Sequence, residues 1–346
     1  MIKKNKHFIN LNANINEALR ILNKLNLDNI IFVIDNTGKL IGSITDGDIR
    51  RGLLNGVQIY DNVDKVLNAN PKFIRKGDDD INKIIQFREK NYKIIPIVDN
   101  EHKVLDLINF RQIKSFLPLD VLLMAGGRGQ RLIPLTNSCP KPLLKVGNKS
   151  ILDHNLDRLQ KFGINDFWIS INYLGEIIEN HLSNRKGNNI TYLKEQKPLG
   201  TIGALSLISN LYHDYLLVMN SDILTNLNFE SFFVDFIKNK ADMSVLSIPY
   251  SVNIPYGVIE TSDNDIKRIR EKPSYTYFSN GGIYLLKKSI INKIPNNTFF
   301  NTTDLIELLL ENKYKVISYP FSGYWLDIGK HEDFRRAQED IKHIEL

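Results

Sequence analysis

The chain has 346 residues, more than one hydrophobic core ordinarily serves, so two domains are expected. Its 45 Lys and Arg against 39 Asp and Glu leave a net charge of +6, and no basic run or basic-aromatic stripe stands out, which argues against a nucleic-acid-binding surface. Cys139 is the only cysteine, so a secreted disulfide scaffold is excluded and a reducing, cytoplasmic compartment fits. The N-terminal stretch from Met1 to Lys6 is basic, but Asn and charged residues interrupt the segment after it; with no apolar signal core and no membrane-spanning run, a soluble protein is expected.

An internal repeat comes first in the chain. Ile31-Phe32-Val33-Ile34-Asp35-Asn36 recurs 64 residues later as Ile95-Pro96-Ile97-Val98-Asp99-Asn100, and the match runs ungapped through Lys39 and Lys103, Ile44 and Ile108, Ile49 and Ile113. Asn16 to Leu25 and Ile81 to Glu89 have helical apolar spacing, and each β-branched run leads into an Asp-Asn turn, so each copy reads as helix, strand, turn, strand, helix. Two copies are too few for a solenoid and predict a pseudo-symmetric pair.

These features resemble a tandem CBS domain over residues 1–117, with copies at about 1–60 and 61–117, a module that implies binding of an adenine nucleotide and regulation of a neighbouring catalytic unit. The most specific piece is Gly42-Ser43-Ile44-Thr45-Asp46-Gly47-Asp48-Ile49-Arg50, in which the resemblance makes Thr45 and Asp48 ribose ligands. A carboxylate accepting two vicinal hydroxyls suits that task. Equally, Thr45 can cap the following helix with Asp48 in its first turn, without a ligand. The second copy carries Asn109 and Gln112 at those positions, so at most one good nucleotide site is expected.

Pro118 marks the boundary, ending the preceding helix just before a new buried strand, Val121 to Met124. Strand-like runs come next at Phe167 to Asn172, Ile190 to Leu193, Tyr215 to Met219 and Met243 to Ile248, separated by amphipathic stretches such as Ile151 to Phe162. That alternation predicts an α/β domain over 119–346, with a mostly parallel sheet, helices on both faces and a ligand crevice beyond the carboxyl ends of the strands.

The first of these strands runs into Ala125-Gly126-Gly127-Arg128-Gly129-Gln130-Arg131-Leu132, followed by Pro140-Lys141-Pro142. A Walker loop is excluded because no Gly-Lys-Ser/Thr follows at its spacing, and a dinucleotide fingerprint because Leu132 replaces the third glycine. Glycine-freed amides can still approach a polyphosphate, Arg131 adds a planar fork of donors, and Lys141 adds a point charge stiffened by flanking prolines.

This segment, continued through Pro134-Leu135-Thr136 and Leu143, resembles the sugar-1-phosphate nucleotidyltransferase signature, and the likeness extends over about residues 119–340. It implies a GT-A-like, Rossmann-like fold, with Ala125, Gly126, Gly127, Gly129 and Gln130 around the triphosphate and Arg131 and Lys141 as catalytic cations. Gln130 departs from the usual Thr or Ser, and Lys149-Ser150 from a common Lys-Pro.

Joining two phosphate-bearing anions needs a divalent cation held by carboxylates. The resemblance assigns Asp222, which ends the strand beginning at Tyr215, and Asp327, within Gly323-Tyr324-Trp325-Leu326-Asp327-Ile328-Gly329, to catalysis and to Mg2+. Lys194-Glu195-Gln196-Lys197-Pro198-Leu199-Gly200-Thr201 resembles the base-recognition loop, with Gln196 or Glu195 facing a base edge, Gly200 admitting the nucleoside, and Thr201 as a ligand or as the cap of a following helix. By the same resemblance Gly257, Glu271, Lys272 and Asn280 contact the sugar phosphate.

The implied reaction moves a nucleotidyl group from an NTP to a sugar 1-phosphate with release of pyrophosphate. The domain pairing and Leu199-Gly200-Thr201-Ile202-Gly203-Ala204-Leu205 most resemble guanylyltransferases of bacterial nonulosonic-acid pathways, implying GTP and glucosamine 1-phosphate as substrates. Two rivals are a related-fold glycosyltransferase, for which Ser221-Asp222-Ile223-Leu224 lacks the usual Asp-x-Asp, and an inactive nucleotide sensor, against which the intact charged residues speak. A homo-oligomer is expected, since CBS pairs commonly associate.

Overall fold

A computed structural model describes residues 6–344 apart from 79 and 186; most of the basic N-terminal stretch, residues 1–5, lies outside the described residues. The chain divides into two compact units, Met1–Leu117 and Pro118–Leu346. Among the described residues no helix is long and apolar enough to cross a membrane.

In the first unit, β1 (Phe8–Asn10), α1 (Ile15–Leu25), β2 (Ile30–Ile34), β3 (Leu40–Thr45) and α2 (Asp46–Leu54) form one copy of the repeat. The second consists of β4 (Ile74–Arg75), α3 (Ile81–Glu89), β5 (Ile94–Val98) and β6 (Val104–Asn109). Helix α1 shows why such segments fold: Asn14 caps it by accepting from the Glu17 amide, and Ile15, Ala18, Leu22 and Leu25 form one buried stripe. Each copy makes a three-stranded sheet with one parallel and one antiparallel pair.

The sequence repeat is also a repeat of register. Ile31 faces Ile44 as Ile95 faces Ile108, and the two hairpins carry bulges at the equivalent steps Val33/Ile34 and Ile97/Val98. The copies meet through equivalent residues: Lys39 bridges Lys103, while the Leu40 amide donates to His102 O at 2.8 Å and the Val104 amide to Gly38 O at 3.0 Å. Such reciprocity is the mark of a local two-fold axis.

One expected element is missing. After β6 the chain makes only a turn, with the Gln112 and Ile113 amides donating to Asn109 O, and the second copy ends without a helix. Too few residues separate Asn109 from Pro118 to repay helix nucleation, and proline disfavours the helical conformation in the residue before it.

The second unit contains β7 (Asp120–Met124), β8 (Lys145–Val146), β9 (Lys149–Ser150), α4 (Ile151–Gln160), β10 (Asp166–Ile171), α5 (Gly175–Leu182), β11 (Asn189–Lys194), β12 (Tyr215–Asn220), β13 (Ile223–Thr225) and α6 (Phe229–Lys238). Next come β14 (Met243–Asn253), β15 (Val258–Ser262), β16 (Asp265–Arg270), β17 (Ser274–Lys287), α7 (Thr302–Glu311), β18 (Val316–Pro320), β19 (Trp325–Asp327) and α8 (His331–Asp340). The main sheet has the order β11-β10-β7-β12-β17-β14-β18. The β12/β17 and β17/β14 pairs are antiparallel and the remaining neighbours parallel, so the sheet is mostly parallel.

Strand alternation supplies both faces of the core. Leu122, Leu216, Val218 and Leu286 turn to one side, where Ile202, Leu205 and the α7 residues Leu305 and Leu309 cover them. Their neighbours Val121, Leu123, Leu217 and Leu285 are also buried, and on that side Phe233 and Phe236 of α6 pack edge-on against Tyr215. Coverage of both faces explains why these strands read as continuous apolar runs. Polar loops therefore collect beyond the strand ends, where β7 and β12 deliver Gly126 and Asp222.

Candidate active site

The loop after β7 is shaped for close approach. The buried Ala125 donates its amide to Ser170 O at 2.9 Å, and Gly126 and Gly127 line a cavity of about 290 Å³. Gly129 has a φ of +60°, and a side chain there would begin 2.9 Å from Thr136 Cγ2 and 3.1 Å from Lys141 Cβ, so glycine lets the loop fold onto the Pro140-Lys141-Pro142 segment. The Thr136 hydroxyl fastens this by donating to Gly129 O at 3.0 Å. Gln130 opens the short turn Gln130–Leu132 and is exposed.

Lys141, Asp222, Asp327 and Arg131 converge from four separate segments. The Lys141 ammonium donates to Asp222 Oδ2 and lies 4.0 Å from Asp327 Oδ1. The aspartates are brought side by side because β13 pairs antiparallel with β19, setting Ile223 opposite Asp327, and the Ile328 amide donates to Asp222 O at 3.0 Å. Arg131 stands beside them, for a side chain at Gly329 would begin 3.7 Å from both of its terminal nitrogens. Burial, then the Asp222 carboxylate, push the Asp327 carboxyl above its ordinary value, against the pull of Lys141 and Arg131.

Two carboxylates that share the Lys141 ammonium fit a hard divalent cation of the Mg2+ type, which usually takes one or two protein carboxylates and completes its shell with water and phosphate. Among the described residues no group of three or more His, Cys, Asp or Glu side chains forms a closed metal cage.

Two cavities adjoin this cluster. Gly126, Gly127, Glu195, Pro198, Gly200 and Asp222 line the first. The second, of about 340 Å³, is lined by Asn280, Tyr284, Asn301, Thr302, Trp325 and Asp327 among others. Thr201 and Asn220 line both. Gln196 is exposed and outside the lining, whereas Glu195 is within it.

Thr201 does not cap a helix. The segment after it forms only the short 3-10 stretch Gly203–Leu207 with Ile202 at its start, and the Thr201 hydroxyl instead accepts from the Thr302 amide at 2.9 Å. The reason is tertiary: the Ile202 and Gly203 amides both donate to Phe300 O, tying this loop to the segment that enters α7.

Of the sugar-segment residues, Asn280 faces the second cavity, with its Oδ1 accepting from the Tyr284 hydroxyl and the Gly282 amide at 2.9 Å. Gly257 and Glu271 lie together, a side chain at Gly257 beginning 3.3 Å from Glu271 Oε2, but they and Lys272 are exposed and outside the cavity lining. Asn220, Tyr284, Asn301, Thr302, Thr303 and Trp325 join the lining without having been singled out from the sequence. For three of them a signal existed: Asn301-Thr302-Thr303-Asp304 opens α7 as a capping box.

In the first unit, Thr45 and Asp48 also form a capping box, the Thr45 hydroxyl donating to Asp48 Oδ2 at 2.6 Å while accepting from the Asp48 amide at 3.3 Å.

Comparison with known proteins bears on what these arrangements belong to. Residues 1–55 match the CBS domain family, and residues 120–344 match the nucleotidyl transferase family. The chain is 33% identical over 226 residues to mannose-1-phosphate guanyltransferase of Debaryomyces hansenii, with 62% of each chain covered. It is 29% identical over 230 residues to D-glycero-alpha-D-manno-heptose 1-phosphate guanylyltransferase of Aneurinibacillus thermoaerophilus, covering 65% of this chain and 99% of that one. It thus spans 62% of the length of the first of these relatives and almost all of the second. Among solved structures, HddC from Yersinia pseudotuberculosis aligns with a TM-score of 0.50 at 25% identity, covering 64% of this chain and 99% of that one. A Bacillus anthracis chain described as a glucose-1-phosphate thymidylyltransferase aligns with a TM-score of 0.53 at 25% identity, covering 66% and 97%. With the match running from the first strand of the main sheet to beyond the last helix, well over half of its length, the chain belongs to the nucleotidyl transferase family.

Proposed function

We propose that the protein transfers a guanylyl group from GTP to a sugar 1-phosphate, giving a GDP-sugar and pyrophosphate. The observation that carries this reading is the Lys141, Asp222 and Asp327 cluster set between two adjoining cavities, one walled by the glycine loop and one by neutral polar side chains. In this reading an oxygen of the sugar phosphate attacks the α-phosphorus of the nucleotide, the bond from that phosphorus to the bridging oxygen breaks, and pyrophosphate leaves. Lys141 and Arg131 neutralise the charge spread over the phosphoryl oxygens, and the amides freed by Gly126 and Gly127 orient the triphosphate. Asp222 and Asp327 would hold the divalent cation, Mg2+, which supplies further charge neutralisation and a template for the two phosphates.

Guanine is favoured by the two guanylyltransferase relatives, whose own sugars are mannose and a heptose. Glucosamine 1-phosphate is the acceptor that the sequence resemblance favours. The test is pyrophosphate release from GTP, ATP, UTP and TTP against glucosamine, mannose and heptose 1-phosphates, with and without magnesium. Release from GTP with at least one of these sugars is expected, and silence from every pair would leave the nucleotide-sensor reading in place.

For the first unit we propose adenine-nucleotide binding at Thr45 and Asp48, supported by the match of residues 1–55 to the CBS domain. Calorimetric titration of AMP and ATP into wild type and Asp48→Ala tests this, since equal binding by the two proteins would leave that pair as a helix cap alone. A cytoplasmic homo-oligomer is proposed as the working assembly, to be measured by sedimentation.

A further inference from the structure

We propose that a third cavity, walled by the β8/β9 hairpin, α4 and the segment after α8, binds an organic phosphate as an effector of the catalytic cluster. The regulatory half rests on the reading of that cluster as a transferase site, and the binding half does not.

This cavity, of about 570 Å³, shares no lining residue with the two that adjoin Asp222 and Asp327. Lys149 of β9, Arg158 and Lys161 at the end of α4 and Lys342 beyond α8 line it, against a single carboxylate, Asp157. Val146, Ile341 and Ile344 give it an apolar wall. Such a lining draws an anion to one side and a carbon body to the other, so an organic phosphate meets both halves where inorganic phosphate meets one. Arg158 is a fixed charge: it is 6% exposed, donates to Leu227 O, and sits over the rings of Phe162 and Phe229. Lys149 pairs with Asp157 and Lys342 with Glu339, but the two lysine side chains are 56% and 58% exposed. Water-screened pairs of this kind are weak enough for a phosphate to recruit both ammonium groups.

The walls of this cavity continue into the catalytic cluster. The hairpin begins two residues after Pro140-Lys141-Pro142, with the Leu144 amide donating to Lys141 O at 3.1 Å and the Ile151 amide to Leu144 O at 3.1 Å. From α4, Asn155 Nδ2 donates to Ser221 O at 3.2 Å, beside Asp222. Val146 and Ile341 belong to one apolar cluster with Leu132, Leu326 and Ile328, the neighbours of Arg131 and Asp327. Gln338 of α8 clasps the hairpin, accepting from the Gly147 amide at 3.0 Å and donating to Lys145 O at 2.6 Å. An anion held by Lys149 and Lys342 adds a second clasp between the same two segments. Order gained there lowers the entropy that the Lys141 segment loses on meeting a triphosphate, so the two ligands should favour each other.

Phenyl phosphate, an anion with an apolar body, and inorganic phosphate, the same anion without one, serve as probes. Both are titrated calorimetrically into the full chain as wild type, as Lys149→Gln with Lys342→Gln, and as Lys141→Ala. Wild type and Lys141→Ala should bind phenyl phosphate alike, and the double variant at least about tenfold more weakly. Inorganic phosphate should bind wild type about fivefold or more weakly than phenyl phosphate does, because it leaves the apolar wall unused. At saturating phenyl phosphate the Kd of magnesium GTP should fall about fivefold in wild type and stay constant in the double variant. Absence of phenyl phosphate binding to wild type, which needs no variant to fold, overturns the proposal. Binding lost in Lys141→Ala and kept in the double variant also overturns it, since the anion then sits in the catalytic cluster. An unchanged GTP affinity overturns the regulatory half. Phenyl phosphate binding to this cavity without pyrophosphate release from any nucleotide would overturn the transferase reading and leave the binding site standing.

Discussion

Lys141 and Asp222, 81 positions apart in the chain, hold ammonium against carboxylate at the edge of the cavity that the glycine loop lines. Both are mostly buried, the Lys141 side chain 12% and the Asp222 side chain 25% exposed, so water screens the pair only in part and each partner orients the other. Asp222→Asn, which keeps the shape and removes the charge, should lower kcat by about 10²–10³-fold. Its unfolding free energy should stay within about 1 kcal/mol of wild type, because Lys141 retains Asp327. Wild-type turnover in this variant, in a protein of unchanged circular dichroism, would remove Asp222 from the chemistry.

Gly200 adopts a φ of +79°, and a side chain there would begin 2.6 Å from Phe300 O and 2.9 Å from Asn301 Oδ1. Gly200→Ala therefore adds a clash with backbone to an unfavourable dihedral, and should cost about 2–3 kcal/mol together with most activity. Gly38→Ala is the control: φ is +87° but nothing lies within 4 Å, so only the dihedral cost of about 1 kcal/mol is expected. Equal losses in the two variants, read by chemical denaturation, would show that the contact with Phe300 is unimportant.

Asp153 and Asp157 of α4 share Arg185, whose Nη1 is 3.1 Å from Asp153 Oδ1; His181 also pairs with Asp153 and Lys149 with Asp157. Burial works to raise both carboxyls, but Ser150 and His181 at Asp153, Lys149 at Asp157, and Arg185 at both outweigh it and hold them below their ordinary range. Groups depressed in the folded state stabilise fully above their unfolded pKa of about 3.9 and lose that stabilisation as pH falls through the lower folded values. Melting temperature should therefore drop as acid is added below about pH 4. Asp153→Asn with Asp157→Asn should lose about 1–3 kcal/mol at neutral pH and flatten that part of the acid limb. An acid limb identical to wild type would exclude this cluster as its source.

The capping box of α2 makes a separate claim about the first unit. Thr45→Ala should destabilise it by about 1 kcal/mol whether or not a nucleotide is present, because the Asp48 amide loses its acceptor. Hydrogen exchange of the α2 amides would register this directly, and unaltered protection in Thr45→Ala would rule out the cap.

Much of the architecture was legible from local pattern. The repeat of Ile31 to Asn36 at Ile95 to Asn100 foretold two hairpins of identical register, because strand pairing follows the alternation of side chains. The apolar runs of β7, β10 and β12 announced a sheet covered on both faces, and Gly129 announced the tight turn that folds onto Lys141. Each of these signals lies within a short window, where glycine freedom, proline rigidity and hydrophobic period act directly on the backbone.

What the chain's own pattern did not contain is which distant windows meet. The missing helix after Asn109, the bond from the Thr302 amide to the Thr201 hydroxyl and the placement of Glu195 rather than Gln196 in the cavity lined by Gly126 and Gly127 were all decided by packing. Thr201 would cap a helix in isolation, but Phe300 O captures the amides that would have begun one. Local preference is worth about 1 kcal/mol per cap, and several tertiary hydrogen bonds together with buried apolar surface outweigh it, so residue type and spacing settled the chemistry available while the tertiary fold settled which side chains share a cavity.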